Sequence, residues 1–223
     1  WLCPQVNLID ASRSYCGEPA DIRDCESCLR RSGNHKDWQT FPMFAASVSE
    51  LRAFSGDFLR RAASVRAPSS DAAKRFTRYF PSARITAEPH DRIKPSKRVA
   101  PRRPGEPARV VLIGSIGLSK GYDVLYSCAR HARQNQLPLR FCVVGATLHD
   151  RELEALGNVE ITGDYVEHTV DGLVASQKGH VSFFPNVWPE TFSYTLTTAF
   201  QAGLWPVAFD LGAIGERIRS AKF

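Results

Sequence analysis

The chain has 223 residues, 43% hydrophobic and 23% charged, with a net charge of +6 at neutral pH, the composition of an ordinary soluble globular protein of one large or two small domains. No apolar run approaches the ~20 residues that a membrane-spanning helix needs. The opening residues Trp1 to Pro4 lack the charged and apolar regions of a signal peptide, so the chain is read as a fragment of a longer product.

Residues 1–36 carry Cys, Gly, Pro and Asp with little hydrophobic period and read as irregular. Four of the six cysteines, Cys3, Cys16, Cys25 and Cys28, fall in this stretch, spaced Cys-x12-Cys-x8-Cys-x2-Cys. Four thiolates suit a closed, tetrahedral, structural zinc site, and that is the expectation, with unpaired thiols or disulfides as the alternatives. From Ser47 a capping box with Glu50 opens a helix whose Leu51, Phe54, Phe58 and Leu59 share one face. A short strand over Ser64–Ala67 follows. Ser70 then caps a second helix carrying Phe76, Tyr79 and Phe80, and a short strand lies over Arg84–Ala87.

Between Glu88 and Pro107 stand five prolines and a basic run: Arg92, Lys94, Lys97, Arg98, Arg102 and Arg103. Residues 92–107 read as a semi-rigid linker between a partial domain over 1–91 and a regular domain over 108–223. Charge divides the same way. Residues 1–107 hold 19 Lys and Arg against 12 Asp and Glu, and residues 108–223 hold 10 against 11. No aromatic residue interleaves the basic run, which argues against a nucleic-acid partner; an anionic membrane surface or lipid-phosphate acceptor fits it, as does a solvated linker.

Beyond Pro107 the pattern becomes periodic. Strands are expected at Arg109–Ile113, Leu139–Val144, Val159–Thr162, Val181–Phe184 and Pro206–Phe209. Helices are expected at Tyr122–Arg133, Asp150–Leu156, Glu167–Ser176 and Phe192–Ala202. This alternation implies an α/β fold, a doubly wound parallel sheet whose ligand sits at the carboxyl ends of the strands. Cys142 and Cys128 read as small core residues, Trp205 and Phe209 as sheet core. The first strand ends in Gly114-Ser115-Ile116-Gly117 and reaches Lys120-Gly121, a glycine-rich turn with one mobile cation for a phosphate. Its spacing matches neither the P-loop nor the GxGxxG fingerprint. The fourth strand runs into Pro189-Glu190-Thr191, ahead of a helix start where backbone N–H groups of Phe192, Ser193 and Tyr194 can take an anion while Glu190 accepts from sugar hydroxyls.

The segment PETFSYTLTTAFQAGLWPVAFDLGAIGERI resembles the Glu-x7-Glu region of family 4 glycosyltransferases, and VVLIGSIGLSKGYDVL resembles that family's first phosphate turn. The stretch from Ala67, the Arg75 region and Pro89-His90-Asp91 look like its passage between domains. The resemblance implies the GT-B fold, two Rossmann-like domains, and a retaining transfer from a nucleoside diphosphate sugar with no catalytic metal. It implies that Lys120 neutralises the leaving diphosphate and that Glu190 holds donor-sugar hydroxyls, with Gly114, Ser115, Gly117, Phe192, Ser193, Tyr194 and Thr198 completing the donor site. Two positions depart from the family: Ser115 stands where Arg is frequent, and Thr198 where the second Glu binds the ribose. The expected acceptor is a polysaccharide, glycolipid or lipid-linked sugar at the cytoplasmic face of a membrane. The rival readings are a nucleotide-sugar-binding module without transfer and a nucleotide-sugar epimerase.

Overall fold

The computed structural model describes residues 2–4, 8–10, 12–32, 47–91 and 101–221. They fall into two compact units, one of Trp1–His90 with Trp188–Phe192 and one of Asp91–Val187 with Ser193–Phe223. Trp1 and residues 92–100, which hold most of the expected basic run and linker, lie outside the described residues. Among the described residues no helix is long and apolar enough to cross a membrane.

The first unit opens with a helix inside the stretch read as irregular, α1 (Ile22–Ser32). Asp21 starts it: its Oδ1 accepts the backbone N–H of Arg23 at 2.9 Å, an N-cap bond that hydrophobic periodicity does not register. In α2 (Val48–Arg61) the Ser47 hydroxyl accepts the Glu50 N–H at 3.1 Å, as expected. Its buried face is Val48, Leu51, Ser55 and Leu59, whereas Phe54 and Phe58 flank that face and stay 49% and 53% exposed. Strand β1 (Val65–Ala67), helix α3 (Ser70–Tyr79) and strand β2 (Ile85–Ala87) form a parallel βαβ unit. Ser69, not Ser70, caps α3 through its bond from the Ala72 N–H. Leu2, Leu59, Phe80 and Ala83 make the small core of this unit.

The zinc expectation is not met. Among the described residues no group of three or more His, Cys, Asp or Glu side chains is arranged to hold a metal, and none of the four cysteines forms a disulfide. Cys3 packs against the apolar core, Cys25 Sγ accepts from Arg52 Nη2 at 3.2 Å, and Cys16 Sγ accepts the Glu18 N–H at 3.4 Å. Burial pushes the Cys16 thiol above its ordinary value, which disfavours the thiolate a metal requires. Among the described residues of this stretch, Glu18 is tied by an ion pair instead. Glu18, 3% exposed, takes Arg75 Nη1 at 2.7 Å, while Asp71 holds Arg75 Nε at 2.6 Å and Arg78 Nη2 donates to the Glu18 carbonyl at 2.8 Å.

The second unit is a five-stranded, all-parallel sheet. In chain order its elements are β3 (Ala108–Ile113), α4 (Tyr122–Gln134), β4 (Leu139–Val144), α5 (Asp150–Glu154), β5 (Val159–Ile161), α6 (Val170–Ser176), β6 (Val181–Phe184), α7 (Tyr194–Gln201), β7 (Trp205–Ala208) and α8 (Gly212–Ser220). The strand order is β5-β4-β3-β6-β7. Period-2 alternation divides the core in two. Val110, Leu112, Phe141 and Val143 pack with Leu125 and Ala129 of α4 and Leu153 of α5. Val111, Ile113, Cys142 and Val144 pack with Val174 of α6, Leu196 and Phe200 of α7 and Ile214 of α8. The sheet is therefore doubly wound, covered on both faces as strands this apolar require.

Three expectations change. Trp205 and Phe209 are 47% and 50% exposed, because β7 is the last strand of the sheet and has one neighbour. Cys128 is exposed on α4, whereas Cys142 is buried as expected and donates to Gln177 Oε1 at 3.0 Å. The last expected helix begins two residues late, at Tyr194, because Ser193 takes φ +73°.

Candidate functional site: the switch point of the parallel sheet

The chain builds β3, β4 and β5 outward in one direction, then returns to place β6 on the other side of β3. The carboxyl ends of β3 and β6 therefore diverge into the crevice where doubly wound sheets bind ligands. The turn after β3 and the loop after β6 are stitched together there. Val187 N–H donates to the Ser119 carbonyl at 3.0 Å, and Gly121, with φ +84°, closes the turn against Pro185.

At the end of β3, Gly114 is buried with φ +106°. A Cβ at this position would stand 3.4 Å from Thr195 Cγ2, 3.8 Å from Lys120 Nζ and 4.0 Å from the Tyr165 hydroxyl. The bare Gly114 backbone thus faces an ammonium, the first turn of α7 and a phenol. Burial pushes the Tyr165 phenol above its ordinary value, so it remains a neutral donor at physiological pH. The Gly114 and Ile116 amides already donate to the carbonyls of Val144 and Ala146, each at 2.9 Å. Gly114 accordingly contributes space rather than a donor. The mobile cation in the turn is Lys120, half-buried.

Facing that turn, α7 starts without a cap bond from the Ser193 side chain, whose hydroxyl lies 3.2 Å from Thr195 Oγ1. A helix start of this kind offers backbone N–H groups and the positive end of the dipole. Tyr194 is 65% exposed, and Thr198 lies half-buried one turn further along the same face of α7. Ser115 is exposed and Gly117 half-buried in the turn. Behind the helix start sits a network the sequence reading missed. Arg217 Nη1 donates to the Ser193 carbonyl at 2.7 Å; its Nη2 donates to Thr197 Oγ1 at 2.8 Å and Asp91 Oδ1 at 3.2 Å. Thr197 Oγ1 donates in turn to Asp91 Oδ2 at 2.7 Å. Desolvation pulls the Arg217 guanidinium below its ordinary value, opposed by Asp91. No spacing pattern marks these residues, since the charges lie 126 positions apart.

Glu190 and Phe192 belong to the first unit. Glu190 is 8% exposed in a turn where its N–H donates to the Trp188 carbonyl at 3.0 Å. Phe192 is buried, with His90 edge-on at 5.1 Å between ring centroids, so its side chain is structural. The Trp188 indole Nε1 is buried with no hydrogen-bond partner among the described residues, and Trp188 and Pro189 line an apolar cavity of about 290 Å³ with Leu2, Leu8 and Phe76. The geometry therefore unites Gly114, Lys120 and the start of α7 within one unit and adds Thr195 and Tyr165 to them.

Comparison with known proteins agrees with this architecture. The family model described as "Glycosyl transferases group 1" matches residues 107–222. No curated protein matches the chain in sequence. Among solved structures, HepE of Anabaena in complex with UDP and glucose is 15% identical with a TM-score of 0.53, over 74% of this chain and 49% of that one. HepE in complex with UDP-glucose is 15% identical with a TM-score of 0.53, over 74% and 50%. A TarM variant of S. aureus in complex with fondaparinux, alpha-GlcNAc-glycerol and UDP is 14% identical with a TM-score of 0.57, over 79% and 36%. The chain thus spans half or less of these similar structures, and the shared fold is the Rossmann-like α/β architecture of GT-B proteins.

Proposed function

Because this chain belongs to the family Glycosyl transferases group 1, we propose that it carries the donor-binding domain of a glycosyltransferase that uses a nucleoside diphosphate sugar, with retention of anomeric configuration. One observation carries the reading: Gly114, Lys120 and the uncapped start of α7 converge at the switch point of a parallel sheet. In this reading the Lys120 ammonium and the amides at the start of α7 hold the diphosphate and stabilise the negative charge that grows on it as the sugar departs. Fixed charges and dipoles aimed at a leaving group are the largest service such a site performs. Glu190 accepts hydrogen bonds from donor-sugar hydroxyls, and Thr198 lies toward the ribose. UDP bound in the structures with which this chain shares its fold supports uridine as the first base to test. The acceptor is proposed to be a polysaccharide, glycolipid or lipid-linked sugar, presented at the cytoplasmic face of a membrane.

Titration calorimetry with UDP and uridine, followed by incubation with labelled UDP-sugars with and without carbohydrate acceptors, tests this. Binding of UDP well above uridine, with acceptor-dependent release of UDP, is expected. A second reading, a binding module without transfer, is favoured by exposed Ser115 at the position where the resembling family has a second phosphate cation. Tight UDP binding with no turnover would select it, and interconversion of the bound sugar would select an epimerase.

A further inference from the structure

We infer that Arg217, anchored by Asp91, is a positioning residue that holds the Ser193 peptide in its left-handed conformation and thereby sets the start of α7 toward the Gly114–Lys120 turn. The inference rests on the donor-site reading above and concerns a residue that touches no ligand in that reading.

Ser193 is the residue before α7, with φ +73° and ψ 91°. An L-residue there is strained and persists only where its surroundings over-determine it. The side chain of Ser193 does not supply that hold, because it forms no cap bond to α7. Arg217 does. Its planar fork spends Nη1 on the Ser193 carbonyl and Nη2 on Thr197 Oγ1, so one guanidinium spans the residue before α7 and the residue one turn into it. The side chains of Arg217 and Asp91 are 14% and 19% exposed, which leaves the pair weakly screened by solvent. Asp91 fixes the fork from the far side and also accepts from Thr197 Oγ1, so Arg217, Asp91 and Thr197 close one ring of bonds, from which Arg217 reaches the Ser193 carbonyl. Asp91 and Ser193 are moreover each the first residue of the second unit after a stretch belonging to the first. One guanidinium therefore ties down two of the points at which the chain enters this unit.

The direction of α7's first amides follows from the Ser193 dihedrals. Were Ser193 to relax to negative φ, the peptide joining it to Tyr194 would rotate, and Thr195 would move relative to Gly114, whose Cβ position it meets at 3.4 Å. The prediction is specific to the diphosphate: a nucleoside makes no use of those amides.

The test uses the full chain, with UDP and uridine as probes. Arg217→Lys retains the charge that balances Asp91 but cannot span both acceptors. It is expected to weaken UDP binding by roughly tenfold and leave uridine binding unchanged. It is also expected to increase amide exchange at residues 193–196 in the unliganded protein. Adding Ser193→Gly, which takes positive φ without strain, is expected to recover most of both losses. Equal losses for UDP and uridine, unchanged exchange at 193–196, or no recovery from the glycine would overturn the inference. Failure of the parent protein to bind UDP would instead sink the donor-site reading, and the exchange measurements would still decide whether Arg217 holds the turn.

Discussion

A Cβ built on Gly121 would stand 1.9 Å from the carbonyl oxygen of Pro185 and 2.6 Å from its carbonyl carbon. These are backbone atoms at the end of β6, so no side-chain rotation relieves the clash. Gly121 also has φ +84°, where an L-side chain is strained in any surroundings. Gly121→Ala is therefore expected to destabilise the protein by about 3 kcal/mol or more, combining overpacking with backbone strain. Gly117, in the same turn, has open space around its Cβ position and no positive φ, so Gly117→Ala should stay within about 0.5 kcal/mol of the parent. Urea denaturation of both variants is the measurement. Equal midpoints would show that the two loops at the switch point are not packed as described.

The ion pairs around Glu18 give a second expectation. Arg75→Ala leaves the Glu18 carboxylate, 2% exposed, paired across 3.9 Å with Arg78 Nη1. Breaking a buried pair by removing one member is strongly destabilising, here by about 3 kcal/mol. Limited proteolysis should then cut within residues 12–20 before any site in the parallel sheet. Unchanged cleavage there would mean that something other than Arg75 orders the segment.

Alkaline pH should weaken the second unit through Tyr122. Burial, reinforced by the hydrogen bond from its hydroxyl to Glu152 Oε2 at 3.2 Å, pushes the phenol up to about 12 from an ordinary value of 10. A folded-state value above the unfolded one means that the unfolded chain loses its proton first as pH rises. The stability contribution is complete below pH 10 and lost through about pH 12. Tyr122→Phe, which has no proton to lose, should show a shallower fall in unfolding free energy across that window than the parent. Parallel curves would assign the alkaline loss to other groups.

The sheet was legible because its strands are buried on both faces and read as short apolar runs at even spacing, so Val110–Ile113 and Phe141–Val144 announce themselves. Lys120 was legible because a glycine-rich turn after a strand is a local pattern. Asp91, Thr197 and Arg217 were not, since their role arises only when segments 126 positions apart meet. The late start of α7 escaped for a related reason: serine at φ +73° contradicts local preference, and the Arg217 bond to its carbonyl comes from 24 positions away. The cysteines misled in the opposite direction. Their spacing suggested a shared ligand, but Cys25 and Cys28 lie on a helix that Asp21 starts, and nearby Glu18 is paired with Arg75.

Lys120 offers the most direct test of the donor site. Its Nζ lies 3.8 Å from the Cβ position of Gly114, beside the start of α7, where a diphosphate would meet both the ammonium and the helix amides. Charge-assisted hydrogen bonds are worth about 1.5–3 kcal/mol, so Lys120→Ala should weaken binding of a nucleoside diphosphate by roughly ten- to hundredfold. Binding of the free nucleoside should not change, because Lys120 has no role at the base or ribose in this reading. Lys120→Arg should recover only part of the loss, since a planar fork on a longer stem does not reproduce a compact ammonium at that point. Ionic strength supplies an independent check. Raising salt should weaken diphosphate binding in the parent more than in Lys120→Ala, which has one fewer cation to screen. Thermal melts of the variants should stay close to that of the parent, because Lys120 is half-buried in a turn closed by backbone bonds from Gly121 and Tyr122 to the carbonyls of Leu118 and Gly117. Equal losses for diphosphate and nucleoside in a well-folded Lys120→Ala would place the lysine away from the phosphates and remove the central cation from the proposed mechanism.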